Sequence, residues 1–251
     1  MLLITVSGIV IRERSVGEQD KFIDIYTDKC GLIEVSVKGA KKITGAGVSA
    51  TQLFAYSKFC LTKRRDRYYI NSVEPVRIFY GLRNDLCKLS LASYFSEVIA
   101  YASHDVQGGN AEIMRLFLNC LHYLSDSARS ERQLKSIFEL RFMTECGMMP
   151  AVVGCSECGT YLRDRMYFVI SEGTLYCSDC FEPGEHKTAV CITKSVLCAV
   201  RHIVFADFDR LFNFKVSDAS MDVLGFITEQ YIIEHLGRTF KTLDFYHDIT
   251  K

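Results

Sequence analysis

Two Cys-x-x-Cys steps constrain this chain more than any other feature. CSECG begins at Cys155 and CSDC ends at Cys180, with eighteen residues between Cys158 and Cys177. That spacing falls in the window of four-cysteine zinc sites, where each step supplies two thiolates from one turn of chain. Gly159 follows the first step, where such a turn needs positive φ. Four thiolates close a tetrahedral shell and leave no position for water, so Cys155, Cys158, Cys177 and Cys180 point to one structural Zn²⁺ rather than to catalysis.

Rival cysteine chemistries fit less well. A redox Cys-x-x-Cys needs only one such step. A nucleobase-deaminase centre needs His-x-Glu and Pro-Cys-x-x-Cys. Here Pro150 stands five residues before Cys155, and no His-x-Glu occurs. Disulfides need an oxidising compartment. The opening run MLLITVSGIVI has no charged leading region, is interrupted by Ser7 and Gly8, and reaches Arg12 without a small-residue cleavage site. It does not read as a secretory signal. No apolar run reaches the ~18 residues that cross a bilayer, so no membrane partner is expected. Eleven cysteines, an odd number, suit a reducing cytosol, and the expected location is cytoplasmic.

With 251 residues the chain can bury a sizeable core. Its zero net charge hides an asymmetry: residues 1–80 carry thirteen Lys/Arg against eight Asp/Glu, and the remainder seventeen against twenty-two. Opposed halves suit a protein that touches a polyanion with one end. Period-two alternation marks strands at 4–10, 22–27, 33–37, 54–63 and 67–73, with turns at 28–31 and at Arg64-Arg65-Asp66. Five short strands in about 75 residues suit a small closed barrel of OB type, with a sandwich as the alternative. After Pro75 the period becomes helical. A helix with stripes Leu82/Leu86/Leu89 and Leu91/Phe95/Val98/Ala102 precedes helices at 111–124 and 131–146. The cysteine module spans 154–181, with a hairpin at 167–170 and 174–176. Two more helices follow, the last ending at Gly237 with His235 near its negative end. The expected class is α+β: an OB-fold barrel over 1–76, then a helical domain over 77–251 with the zinc module inserted.

Between Lys38 and Ile70 stand eight basic residues and one acidic residue, Asp66. Phe54, Tyr56, Phe59, Tyr68 and Tyr69 interleave with them. Barrels that bind single strands combine a basic groove with aromatic stacking faces. The alternative is a solvated charged rim over core aromatics, and Phe59 reads as core. GAKKITGAG at 39–47 lacks the terminal Gly-Lys-Ser/Thr of a phosphate loop. No Gly-x-Ser-x-Gly elbow and no helical histidine pair occurs, and His186 could substitute for one cysteine ligand. Nothing argues for an enzyme.

The order of these parts resembles the bacterial recombination mediator RecO family. The resemblance rests on GIVIRERSVGEQDKFIDIYT, GLIEVSVKGAKK, GLRNDLCKLSLASYFSEV, FELRFMTECGMMP, CSECG…CSDC and HLGRTFKTLDF, which run from Gly8 to Phe245. It implies an OB-fold that binds single- and double-stranded DNA and anneals complementary strands. It also implies joint action with RecR to load RecA onto DNA coated by single-strand-binding protein, and docking of that protein's acidic tail. On this resemblance Lys38, Lys41 and Lys42 match the family's basic DNA-binding stretch, and the four cysteines match its zinc ligands. Ile43 to Gly47 carries no charge where the family tends to continue basic, so Lys63, Arg64, Arg65 and Arg67 are expected to compensate. The tail is expected on Arg129, Arg132, Lys135 and Arg141 beside Leu134 and Phe138; the alternative is a solvated helix face with two core residues beneath. The other readings are a zinc-bearing OB protein that binds RNA and an adaptor that binds only proteins.

Overall fold

The structure is a computed structural model that describes residues 2–16, 20–37, 46–65, 67–103 and 108–250. It divides into two compact units, 1–126 with 240–251, and 127–239. The expected boundary at 76 therefore does not coincide with the division by compactness, because the first two long helices group with the barrel.

In the first unit, β1 (Leu2–Val16), β2 (Asp20–Thr27), β3 (Gly31–Val37), β4 (Ala55–Arg64) and β5 (Arg67–Ile78) form a closed barrel in the order β1-β2-β3-β5-β4. Alternate residues face inward, as a period of two requires: Val6 and Val10, Ile23 and Ile25, Val35 and Val37, Phe59 and Leu61 pack together. β1 runs beyond the expected strand and is irregular between Val10 and Arg12, which bends it around the barrel. Gly8 is where β2 comes closest; a Cβ there would lie 2.5 Å from Ile25 Cγ2 and 2.9 Å from Tyr26 O. The short α1 (Ala46–Ala50), absent from the sequence expectation, ends on a buried bond from Ser57 Oγ to Ala50 O. Phe54 has a left-handed φ of 61°, held by its buried ring and by its N–H donating to Val10 O.

A 3-10 turn at Tyr80–Leu82 leads to α2 (Leu86–Ala102), whose first N–H groups donate to Asp85. α3 (Ala111–Ser125) is capped likewise by Asn110. α2 buries residues on several faces, Leu91, Tyr94, Phe95, Val98 and Ile99 among them, but Leu86 is exposed and Leu82 lies in the preceding turn.

The second unit holds α4 (Glu131–Glu145), the antiparallel sheet β6 (Arg165–Val169), β7 (Thr174–Cys177) and β8 (Ala189–Thr193), and the helices α5 (Lys194–Phe205), α6 (Phe208–Leu211) and α7 (Asp218–Leu236). β6 is the central strand. β8 and α6 have no counterpart in the sequence expectation. α7 ends as expected at Gly237, whose φ is 65°. His235 does not act on the helix end alone: its Nε2 lies 2.9 Å from Ile170 O.

The expectation that the last helix ends at Gly237 needs correction. The chain returns to the first unit through α8 (Lys241–Thr250), packed on α2. Phe240 sets its edge against Tyr94 at 5.7 Å, and Glu97 accepts from Thr242 N–H and Oγ1. Among the described residues no helix is long and apolar enough to cross a membrane.

α4 and α7 are joined by an ion cluster. Lys135 Nζ lies 2.8 Å from Glu139 and 2.6 Å from Glu229, while Thr228 Oγ1 donates to Glu139. Burial alone would lower the Lys135 pKa, but the two carboxylates outweigh it and raise it. Glu139 is wholly buried, and burial pushes its carboxyl up against the pull of Lys135. Removing the cation of this triad takes away the positive charge beside the wholly buried Glu139 and the partly buried Glu229. Lys135→Met is therefore expected to cost about 3–5 kcal/mol, and Glu139→Gln distinctly less. Urea unfolding of the full chain checks the order.

Candidate metal centre and nucleic-acid interface

The four cysteine sulfurs lie within 4.8 Å of one another. The first step is folded by Cys155 N–H donating to Thr160 O and Gly159 N–H donating to Cys155 O, with Gly159 at φ 69° as the turn demands. In the second step, Cys180 N–H and Phe181 N–H both donate to Cys177 O. β7 delivers Cys177 at its end, and Ser156 N–H donates to Leu175 O, bringing the first step against that strand. Arg201 holds the preceding loop: Nε donates to Val152 O at 2.7 Å, and Nη2 to Val153 O and Tyr161 O. Its guanidinium also lies 3.9 Å from the Tyr161 ring centroid. Sequence reasoning missed Arg201, since its carbonyl partners are forty or more residues away.

The donor set fits a metal. Metal–sulfur bonds of about 2.3 Å in a tetrahedron set sulfur–sulfur edges of about 3.8 Å, and Cys158 Sγ lies 3.7 Å from Cys177 Sγ. Hydrogen bonding by the Thr160 hydroxyl, then by its backbone, draws the Cys158 thiol down to about 6. Cys180, hydrogen-bonded to Cys158 and Cys177, is pushed up to about 12. Four sulfurs this close cannot all ionise side by side; a divalent cation removes that conflict by compensating the thiolates. With four protein ligands the shell is closed.

On the barrel, the expected basic residues divide in two. Lys38, Lys41 and Lys42 lie outside the described residues; the described chain leaves at Val37 and resumes at Ala46. Lys63, Arg64, Arg65 and Arg67 meet at the β4–β5 turn, where Arg65 has φ 52° and Arg64 stands opposite Arg67. Among the described residues no carboxylate pairs with any of these four. The cations of β1 and β2 differ: Arg12 and Arg14 pair with Asp24, Arg14 also with Glu34, and Lys21 with Glu13. Among the described residues the β4–β5 tip is thus a cluster of positive charge without a carboxylate partner. Of the interleaved aromatics, Phe54 and Phe59 are core. Tyr68 packs partly on that core beneath Lys63, whereas Tyr69 lines an open groove with the Arg64 guanidinium 5.8 Å from its ring centroid.

The basic residues expected to hold an acidic tail are engaged inside the second unit. Arg129 donates to Phe212 O and Asn213 Oδ1, and Arg132 pairs with Asp222. Lys135 belongs to the buried ion cluster. Arg141 binds Glu145 and donates to the carbonyls of Ile203, Val204 and Ala206 at the end of α5. Leu134 and Phe138 are fully buried.

The chain is similar to known proteins over nearly its whole length. A model described as Recombination protein O N terminal matches residues 1–79, and one described as Recombination protein O C terminal matches 83–244. A DNA repair protein RecO from Acetivibrio thermocellus is 36% identical over 239 residues, 95% of this chain and 94% of that protein. The corresponding proteins of Alkaliphilus metalliredigens and a Thermoanaerobacter species are 31% and 28% identical, covering 97% and 99% of this chain and 98% and 99% of theirs.

The cluster geometry predicts one tightly held metal ion. Cys177→Ser is expected to release it and to lower the melting temperature, because binding is coupled to folding of the module. Elemental analysis of protein purified without chelator checks the parent, and metal-free parent protein would overturn the assignment.

Proposed function

The chain belongs to the recombination protein O family of DNA repair proteins, and on that premise we propose that it is a non-enzymatic recombination mediator. In this reading it binds single- and double-stranded DNA, anneals complementary strands and, with RecR, helps load RecA onto DNA coated by single-strand-binding protein. The observation that carries the reading is the β4–β5 tip, where Lys63, Arg64, Arg65 and Arg67 are gathered without a carboxylate partner among the described residues. Phosphates are the counter-charge such a cluster fits, and their neutralisation supplies affinity independent of sequence. The metal is proposed to be Zn²⁺, held by Cys155, Cys158, Cys177 and Cys180 to fix the fold of its module. RecR and the acidic tail are partners implied by family resemblance.

Two measurements test this. Arg64→Ala with Arg65→Ala should weaken binding of unrelated DNA sequences alike. It should also flatten the dependence of log K on log salt by about 0.7 for each single-strand phosphate that is no longer neutralised. Lys41→Ala with Lys42→Ala forms the second pair of the series. The parent should also accelerate annealing of complementary strands; preference for RNA or an acidic peptide over DNA would replace this reading.

A further inference from the structure

The barrel closes unevenly. Among the described residues β3 and β5 pair at Val35–Tyr68 and Ser36–Tyr69, and β5 continues to Ile78. The seam opens into a groove of about 570 Å³, within the range of about 300–1,000 Å³ of small-ligand sites. Arg64 and Tyr69 stand at its mouth, and Ser36, Asn71 and Ser72 supply polar walls.

We propose that this groove takes one unpaired nucleobase of a bound DNA strand, stacked on the Tyr69 ring beneath the Arg64 guanidinium. The proposal rests on the DNA-binding reading above and says which part of the barrel distinguishes single strands from duplex. A base between ring and guanidinium needs two van der Waals spacings, about 7 Å in all. The present separation is 5.8 Å, so the exposed Arg64 has to move outward by only about an ångström. Asn71 Nδ2 donates to Thr62 Oγ1 at 2.6 Å, which fixes the amide. Its Oδ1 accepts no bond from a described residue and suits the N–H groups on a base edge. A base in duplex has both faces covered and enters only by being unstacked, so the groove favours strands that are already single.

The test uses the full chain and two labelled probes, a single strand and a hairpin duplex. Tyr69→Ala should weaken the single strand by roughly five- to 150-fold, the cost of one base–aromatic stack. The salt slope should stay close to that of the parent, and duplex affinity should move by less than about twofold. Tyr69→Phe should restore single-strand affinity, because the ring and not the hydroxyl stacks. Independently of any variant, a strand carrying 2-aminopurine should change fluorescence on binding the parent. An unresponsive 2-aminopurine, or Tyr69→Ala binding single strand like the parent or losing both probes equally, overturns the groove while leaving DNA binding intact. A parent that binds neither probe brings down the underlying reading instead.

Discussion

Closure of the barrel through two parallel rungs between β3 and β5 is the constraint on which the candidate DNA surface depends. β4 and β5 pair along almost their whole length, from Ala55–Ile78 to Arg64–Arg67, which fixes Arg64 and Arg67 at one end of the barrel. The packed interior formed by Val10, Ile23, Val35, Phe59 and Leu61 supports both strands from behind. A well-paired hairpin carrying charge beside a seam with two described rungs sets a charged edge next to the groove. A fully zipped seam would leave no such recess.

Charge placement, more than total charge, separates the two roles of basic residues in this chain. On β1 and β2 the cations face carboxylates across neighbouring strands, and exposed pairs of that kind contribute little to stability. They do, however, cancel the local field. At the β4–β5 tip no such cancelling pair occurs among the described residues. In the second unit, Lys135 and Arg141 serve as internal struts, one between buried carboxylates and the other against carbonyls at a helix end, where a cation also complements the helix dipole.

Local chemistry was the legible part. The spacing of the four cysteines and the need for Gly159 in a left-handed turn are properties of a few consecutive residues, and both hold. The barrel strands and the helices at 111–125 and 131–145 follow from periodicity alone. What escaped was set by residues far apart in sequence. Arg129 shows its partners only when Phe212 and Asn213 are placed beside it, and Arg201 looks ordinary until three carbonyls from residues 152–161 converge on it. α8 was overlooked although Phe240, Leu243 and Tyr246 recur at intervals of three, because Gly237 already supplied a stop. β8 joins β6 from outside the tight hairpin turn that marks β6 and β7, so no local turn signal points to it.

The return of α8 to the first unit has a consequence for biosynthesis. Residues 127–239 form a continuous stretch with its own core, so every part needed for that unit has been made before Phe240 is added. The first unit, although its strands are synthesised earliest, must wait for Phe240, Thr242 and Leu243 before Tyr94 and Glu97 gain their partners. The second unit can therefore close from one contiguous stretch of chain, whereas the first closes only when α8 docks on the face of α2 that receives it.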